Sequence, residues 1–402
     1  MWLNGGYIDL ITANNTITCV ALGYTRSSQN RVGLVSTDHM NRTGMKCLPA
    51  CKSASIASGN VLHDWHAEIL AIRAFNHFLM QECYELASSA DYQSPIIRRR
   101  DNKELSPKLG QQPFTIRSNL RIMMYCSEAP CGDASMELVM EAQEDATPWP
   151  VSVPDNGIAS GLLGRGSFSQ LGIVRRKPGM EICLPNEREI MAKSLIARAD
   201  SPPTLSKSCS DKLALKQCTS LLSSLTSLLI SPKNAYIDTL ILPRSQYRPA
   251  ACERAFGPSG RMKSVAAKTW SEGYAFHPIQ VKPTDLEFNY SRRCAKVASR
   301  NAESKGSNIS AVWTPRLQET LINGVLQGRK QTDAKGASAL SRNKMQELLL
   351  EIIFRLESSM AKEITGLGSY AKIKGAKPLD IRRHIKEDVK MEALKGWDDG
   401  AG

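Results

Sequence analysis

The chain lacks any run of about 18 consecutive apolar residues, the length that a membrane-spanning helix needs, so no transmembrane segment is predicted. Its first six residues, Met-Trp-Leu-Asn-Gly-Gly, do not have the charged and apolar regions of a signal peptide. The 11 cysteines are odd in number and follow no regular framework, which argues against a secreted disulfide scaffold. We therefore expect an intracellular protein, in the nucleus, the cytoplasm or both. No internal repeat is evident.

Acidic residues are too few to balance the basic ones. The 402 residues include 52 Lys and Arg against 39 Asp and Glu, which gives a formal net charge of +13. Such a charge suits a polyanionic partner, most obviously a nucleic acid, although a merely soluble basic protein can have the same composition. The glycine-rich stretch at 157–172 is not a Walker loop, because no Gly-Lys-Ser/Thr follows it.

The most informative stretch is His-Asp-Trp-His-Ala-Glu-Ile-Leu at residues 63–70. Apolar residues repeat at helical spacing after it, which predicts a helix from about Asp64 to Leu86 with Asp64 as its N-terminal cap. His66 and Glu68 then fall in the first turn, where an imidazole nitrogen and a carboxylate lie side by side. Alone, this pattern is more often the start of an ordinary amphipathic helix.

Two cysteine stretches change that interpretation. Cys131 follows a buried strand predicted at 120–126, and Cys209 precedes a second helical pattern. One His and two Cys fill three positions of a tetrahedral zinc site and leave the fourth for water, which is typical of catalytic zinc. Zinc nucleobase deaminases carry His-x-Glu followed by Pro-Cys-x-x-Cys. Here the residue three past Cys131 is Ala134, so the third ligand must come from elsewhere, and Cys209 is the candidate.

The remaining periodicity predicts a mixture of strands and helices. Further strands are expected at 16–22, 236–242 and 310–314, whereas residues 24–42 are polar and irregular. Helices are expected from about residue 131, from 213 to near Pro232, and over 345–356.

Three motifs, in this order, resemble the adenosine deaminases that edit RNA. They are the stretch at 63–70, Ser-Glu-Ala-Pro-Cys-Gly-Asp-Ala-Ser-Met at 127–136, and Ser-Cys-Ser-Asp-Lys at 208–212. With Arg-Lys-Pro-Gly at 176–179, they look most like the tRNA-specific adenosine-37 deaminases of fungi. The resemblance implies an α/β fold with a cytidine-deaminase-like three-layer core, in which helices flank a mixed sheet. It also implies a helical C-terminal extension within one domain, residues 16–400, with insertions at 24–42 and 180–197.

The activity implied by the resemblance is hydrolytic deamination of adenosine to inosine next to the anticodon, at position 37 of tRNA-Ala. Zinc on His66, Cys131 and Cys209 would lower the pKa of a water molecule, and Glu68 would move protons between water, adenine N1 and the leaving amine. Lys46 matches a family position close to the substrate. The expected partner is tRNA, with no DNA, membrane or obligate protein partner. The alternatives are an editor of structured messenger RNA and a catalytically dead, zinc-stabilised RNA-binding protein.

The resemblance also implies a buried inositol hexakisphosphate as a structural cofactor. Matching positions give six ligands: Arg73, Lys212, Arg329, Tyr370, Lys374 and Trp397. Lys212, with Asp64 and Lys177, would link the anion to the zinc ligands. Lys and Arg are rarely buried without partners, so a polyphosphate would explain such a cluster, although lysines in the tail can also be merely solvated. The chain departs from the family's double-stranded-RNA editors at Leu215 and Lys216, where those proteins have an Arg and a Trp.

Overall fold

The computed structural model describes residues 18–25, 33–38, 47–48, 59–106, 110–141, 172, 174, 206–288, 291, 293–294, 309–357, 364 and 366–397. For the first two ranges the description is limited to the backbone. The strands in these ranges are β1 (Thr18–Thr25), β2 (Gly33–Asp38), β3 (Ile97–Arg99), β4 (Phe114–Ile116), β5 (Arg121–Cys126), β6 (Ile230–Ser231), β7 (Ile237–Pro243), β8 (Gln280–Thr284), β9 (Ile309–Thr314), β10 (Leu317–Ile322) and β11 (Val325–Leu326).

Eight of these strands form one mixed sheet in the order β11-β10-β9-β2-β1-β5-β7-β8. The pairs β1–β2, β1–β5, β2–β9, β9–β10 and β10–β11 are antiparallel, whereas β5–β7 and β7–β8 are parallel. The three remaining strands form a small second sheet, β3-β4-β6. Strands from both ends of the chain therefore meet in one sheet, because β9 and β10 extend the edge that β2 provides.

The α-helices in the described ranges are α1 (Ala67–Ser88), α2 (Met136–Glu141), α3 (Cys209–Thr219), α4 (Pro249–Phe256), α5 (Arg342–Arg355), α6 (Tyr370–Lys374) and α7 (Asp380–Glu392). The long helix α1 contacts β1, β2 and β9 of the sheet and also α5. Buried residues of α1, β5, β7 and α5 belong to one apolar cluster, which includes Phe75, Leu79, Met124, Leu240 and Ile352. Burial of this cluster, more than local propensity, keeps α1 in place.

The expectation of a mixed α/β protein is confirmed. The strands predicted at 120–126, 236–242 and 310–314 are β5, β7 and β9, and the helix predicted at 345–356 is α5. The strand predicted at 16–22 is present from Thr18 as β1. These elements have clear apolar periodicity or continuous apolar runs, which local pattern detects well.

Three local expectations are wrong. Residues 24–42 are not irregular throughout, since β2 lies within them and pairs with β1 and β9. The helix after Cys209 ends at Thr219 and does not reach Pro232, because Ser220 has a φ of 61° that a right-handed helix cannot continue. The helix expected from Cys131 begins only at Met136, after a 3₁₀ turn at Asp133–Ser135. The second expected insertion, 180–197, lies outside the described residues.

Candidate metal centre

Three side chains from distant parts of the chain converge beside the start of α1. The potential ligand atoms of His66, Cys131 and Cys209 all lie within 4.8 Å of one another. His66 immediately precedes α1, Cys131 lies in the turn after β5, and Cys209 is the first residue of α3. A second group of potential ligands, Cys47 with Asp64 and His66, shares the histidine. The fold therefore brings together the one His and two Cys that the sequence singled out.

The sequence predicted Asp64 as the N-terminal cap of α1, and this prediction is wrong. Asp64 instead orients the His66 side chain. His66 itself occupies the capping position of α1, with no side-chain cap. Oδ1 of Asp64 accepts a hydrogen bond from the backbone N–H of His66 at 3.0 Å and lies 2.8 Å from its Nδ1. A proton held on Nδ1 by this carboxylate leaves Nε2 as the nitrogen that can bind a metal.

The other oxygen of Asp64 is held by Lys212 and Ser206. The Lys212 ammonium pairs with Oδ2 of Asp64, and the Ser206 hydroxyl donates to the same oxygen at 2.8 Å. Burial alone would raise the pKa of Asp64, but Lys212 and His66 together hold it well below its usual range. Lys212, Asp64 and His66 thus form a continuous chain of charged contacts, as the resemblance implied for the first two.

Glu68 lies in the first turn of α1, as predicted, and is only 6% exposed. Burial raises the pKa of Glu68 to about 7, and the negative charge of Cys131 acts in the same direction. A hydrogen bond with Cys209 is the main cause that lowers the pKa of Cys131 well below its ordinary value. A carboxyl group with a pKa near 7 can both accept and release a proton close to neutral pH.

The two cysteine turns are bonded directly to each other through Ser210. Its backbone N–H donates to the carbonyl of Cys131 at 3.0 Å, and its hydroxyl donates to the carbonyl of Pro130 at 3.0 Å. The same hydroxyl accepts from the N–H of Ala134 at 3.1 Å. The N–H of Cys209 also donates to the Cys131 sulfur at 3.3 Å. These bonds connect the turns that carry two candidate ligands, which lie 78 residues apart in sequence.

Close packing of the turns depends on Gly132. Its φ is 102° and its ψ is −138°, a conformation that side chains rarely adopt. A Cβ at this position would lie 2.2 Å from the Ser208 hydroxyl oxygen and 2.5 Å from the Ser208 Cβ. That hydroxyl caps α3 by accepting from the backbone N–H of Asp211 at 3.2 Å. Cys209 therefore lies at the capped N-terminus of α3, where its hydrogen bond with Cys131, together with burial, raises the pKa of its thiol well above the ordinary value.

A second concentration of charge lies around the end of α3 and consists of basic groups. The Lys216 ammonium and the Arg382 guanidinium both donate to the carbonyl of Leu222, at 2.8 and 2.5 Å. Arg382 is 4% exposed, and its Nε is buried without a hydrogen-bond partner among the described residues. Nε of Arg73, on α1, is likewise buried without a hydrogen-bond partner among the described residues. Burial, with the charges of Arg382, Lys386 and Arg73, lowers the pKa of Lys216 well below its ordinary value.

The six residues matched to the polyphosphate are placed differently from one another. The Lys207 and Lys390 ammonium groups lie 5.9 and 5.7 Å from the Trp397 ring centre. The guanidinium carbon of Arg342 lies 5.4 Å from the ring centre of Tyr370. With Arg73, three of the six residues therefore lie near other basic groups, whereas Lys212 is paired with Asp64.

The other two are more exposed. Lys374 is exposed, and the Arg329 side chain is 50% exposed, with its guanidinium 3.5 Å from Asp333. Their part in an anion site stays a prediction. The buried Arg382 and the neighbouring Lys216 are basic residues that the resemblance did not assign as ligands. Lys46 and Lys177 lie outside the described residues.

None of the helices in the described ranges has both the length and the apolar character needed to cross a bilayer. The protein thus combines a mixed sheet with a His, Cys, Cys and Glu constellation, which is the arrangement of the zinc-dependent nucleobase deaminase class.

Comparison with known proteins narrows this class. The sequence model of the adenosine-deaminase (editase) domain matches residues 42–399. The chain belongs to this family, and the expected adenosine deaminase is confirmed at that level.

Three relatives indicate which members of the family it is similar to. The tRNA-specific adenosine deaminase 1 of Schizosaccharomyces pombe is 34% identical over 357 residues, which are 88% of this chain and 80% of that protein. The protein of the same name from Saccharomyces cerevisiae is 32% identical over 209 residues, 50% of this chain and 44% of that protein. The double-stranded RNA-specific editase Adar of Drosophila melanogaster is 28% identical over 237 residues, 55% and 31% of the two chains.

Proposed function

We propose that this protein hydrolyses adenosine to inosine in tRNA, next to the anticodon, at position 37 of tRNA-Ala. The observation that carries the proposal is the convergence of His66, Cys131 and Cys209 beside the buried Glu68. The similarity to the S. pombe protein named for tRNA, over 88% of this chain, supports the choice of RNA. The position and the isoacceptor follow from the motif resemblance alone.

The donor set fits zinc as the resident metal. One imidazole and two thiolates are ligands that zinc prefers, and three protein ligands leave a position for the reacting water. The competing group of Cys47, Asp64 and His66 fits less well, because the Asp64 carboxylate is already occupied by Lys212 and Ser206. When bound, zinc lowers the pKa of a water molecule from 15.7 towards about 7.

Glu68 is the group that moves protons. It takes one proton from the attacking water as the oxygen bonds to C6 of adenine, and delivers it to ring N1. It then helps to protonate the exocyclic nitrogen, which leaves as ammonia, so that adenosine and water become inosine and ammonia. Asp64 acts through His66, because it fixes the tautomer and the orientation of the imidazole. Lys212 keeps Asp64 ionised for this role.

The substrate is an RNA in which the target base is already accessible. A duplex hides the reacting atom, whereas an anticodon loop presents splayed bases and so reduces the cost of unstacking. The net charge of +13 suits contacts with the phosphate backbone, and Lys46 and Lys177 are candidates for such contacts or for supporting them. The retained and buried Glu68 argues against a catalytically dead RNA-binding protein.

We also propose inositol hexakisphosphate as a structural cofactor in the basic cluster of Arg73, Lys216, Arg382 and Lys386. The supporting observation is the pair of buried, unpartnered Nε atoms on Arg73 and Arg382. Burial and the neighbouring charges of Arg382, Lys386 and Arg73 disfavour the charged form of Lys216, which shares the Leu222 carbonyl with Arg382. A polyphosphate reverses the sign of those interactions and stabilises only the folded chain.

The test is incubation of the purified protein with a tRNA-Ala transcript, followed by sequencing, in which inosine is read as guanosine. A hairpin of messenger-RNA type is the competing substrate, and zinc is measured by atomic absorption. We expect a change at position 37 alone, and Glu68→Gln should keep zinc while losing about 10²-fold or more in rate. Editing of the hairpin in preference to tRNA would favour the editor of structured messenger RNA. Zinc binding without any inosine would favour the RNA-binding protein.

A further inference from the structure

Each of the two cysteine turns carries a completely buried aspartate two residues after its cysteine. These are Asp133, after Cys131, and Asp211, after Cys209, and both are 0% exposed. A buried carboxylate two residues from a thiolate adds negative charge to a site that is already negative. Buried carboxylates of this kind require a cationic partner.

Both partners come from one short segment, α4 and the turn that follows it. Nε of Arg254 donates to Oδ1 of Asp133 at 3.0 Å, and Nη2 donates to the Asp133 carbonyl at 3.0 Å. Nη1 of Arg261 donates to Oδ1 of Asp211 at 2.5 Å, and the Arg261 side chain is 4% exposed. The guanidinium of Arg254 also contacts the Glu137 carboxylate at 2.6 Å. Side chains of this one segment therefore form hydrogen bonds and ion pairs with both cysteine turns.

The two arginines are fixed relative to each other. The backbone N–H of Arg261 donates to the carbonyl of Arg254 at 2.9 Å, which closes the turn after α4. Gly260 makes this turn tight, since a Cβ there would lie 2.4 Å from the carbonyl oxygens of Glu253 and Arg254. The separation of the two arginine backbones is thus set by this turn.

We propose that Arg254 and Arg261 form an arginine clamp that sets the separation of Cys131 and Cys209 and thereby the affinity of the metal site. The arginines are positioning residues, because they act on the cysteines through Asp133 and Asp211. The proposal rests on the proposed zinc site. The bonds of Ser210 join the two turns directly, and the arginines contact the same two turns through Asp133 and Asp211.

The test uses the full chain with zinc and, separately, with cobalt in its place. Arg254→Met is compared with Arg254→Lys, which keeps the charge but loses the planar fork. The matched control is Arg248→Met, because Arg248 lies just before α4 and pairs at 2.7 Å with the exposed Glu141, away from both cysteines. The readouts are the rate of zinc transfer to a chelator and the visible absorption bands of the cobalt protein.

We expect Arg254→Met to lose about 10- to 100-fold in zinc affinity, the scale seen for residues that orient metal ligands, and to shift the cobalt bands. Arg254→Lys should be intermediate, and Arg248→Met should match the wild type. If Arg254→Met is insoluble, Arg254→Lys is compared with Glu137→Gln. Only Arg254→Lys alters the contact with Asp133, so zinc release and the cobalt bands should change in that variant and not in Glu137→Gln. Wild-type zinc release and cobalt bands in the Arg254 variants would overturn the clamp alone. A wild-type protein that binds no zinc would overturn the proposed function and the clamp with it.

Discussion

Replacing Gly132 by alanine tests the close packing of the two cysteine turns. The φ of 102° and ψ of −138° at this residue fall in a region that is nearly restricted to glycine and costs other residues about 1–3 kcal/mol. The new Cβ would also lie 2.2 Å from the Ser208 hydroxyl oxygen. To relieve that contact Ser208 must move, and the cap on Asp211 N–H, worth about 1 kcal/mol, is lost.

The two contributions add to about 2–4 kcal/mol, which is a large part of the 5–15 kcal/mol that usually stabilises a folded domain. Ser208 adjoins Cys209 and Gly132 adjoins Cys131, so the same movement separates the two ligands. We therefore expect Gly132→Ala to lower the denaturant midpoint and to reduce the zinc content. The assay is urea unfolding followed by fluorescence, with zinc measured on the same samples.

Gly328→Ala is the matched control. Gly328 has a φ of 80°, but nothing lies within 4 Å of the position that its Cβ would take, so its substitution includes the backbone cost alone, about 1–2 kcal/mol. The double variant Gly132→Ala with Ser208→Gly should regain the part due to steric contact. If Gly132→Ala were no more destabilising than Gly328→Ala and kept its zinc, the packing argument would be refuted.

Three further predictions concern the ligands, the basic cluster and pH. Cys209→Ala should purify without zinc whereas Cys218→Ala, also buried on α3 but outside the metal-binding group, should keep it, as measured by atomic absorption. Lys216→Met should reduce the inositol hexakisphosphate that mass spectrometry detects in the denatured protein and should lower the melting temperature, whereas the exposed Lys395→Met should do neither. A higher melting temperature in Lys216→Met would instead mean that the cluster holds no anion. Burial lowers the pKa of His77 from 6.5 to about 4. As the pH drops from 6.5 towards 4, His77 therefore gains a proton in the unfolded chain before it does so in the folded one. The free energy of unfolding should then fall by about 3 kcal/mol for this group. His77→Gln should flatten urea midpoints across that range, and an unchanged pH dependence would contradict the assignment.

The sequence by itself was enough to predict the candidate site residues and the strongest secondary structure. His66, Glu68, Cys131 and Cys209 could be selected because zinc chemistry limits the ligand types and because each lies in a short, distinctive motif. The elements β5, β7, β9 and α5 were predicted from apolar runs or periodicity, which depend only on neighbouring residues.

Tertiary structure alone decided how these pieces act on one another. Asp64 looked like a helix cap, but Lys212 and His66, the former 148 residues away, draw its carboxylate into the metal-binding group. The strand β2 has no strong pattern of its own and exists because β1 and β9 offer it hydrogen-bonding partners on both sides.

Packing between distant parts of the chain also explains the two clusters of charged residues that the sequence motifs did not reveal. Lys216 and Arg382 share one carbonyl, and Arg254 and Arg261 reach two aspartates, only because helices from separate regions pack together. A charged side chain has no detectable pattern in sequence, since its pKa and its partner depend on burial and on distances across the fold. Local motifs therefore identified the candidate ligands, whereas long-range packing set their spacing and the charges around them.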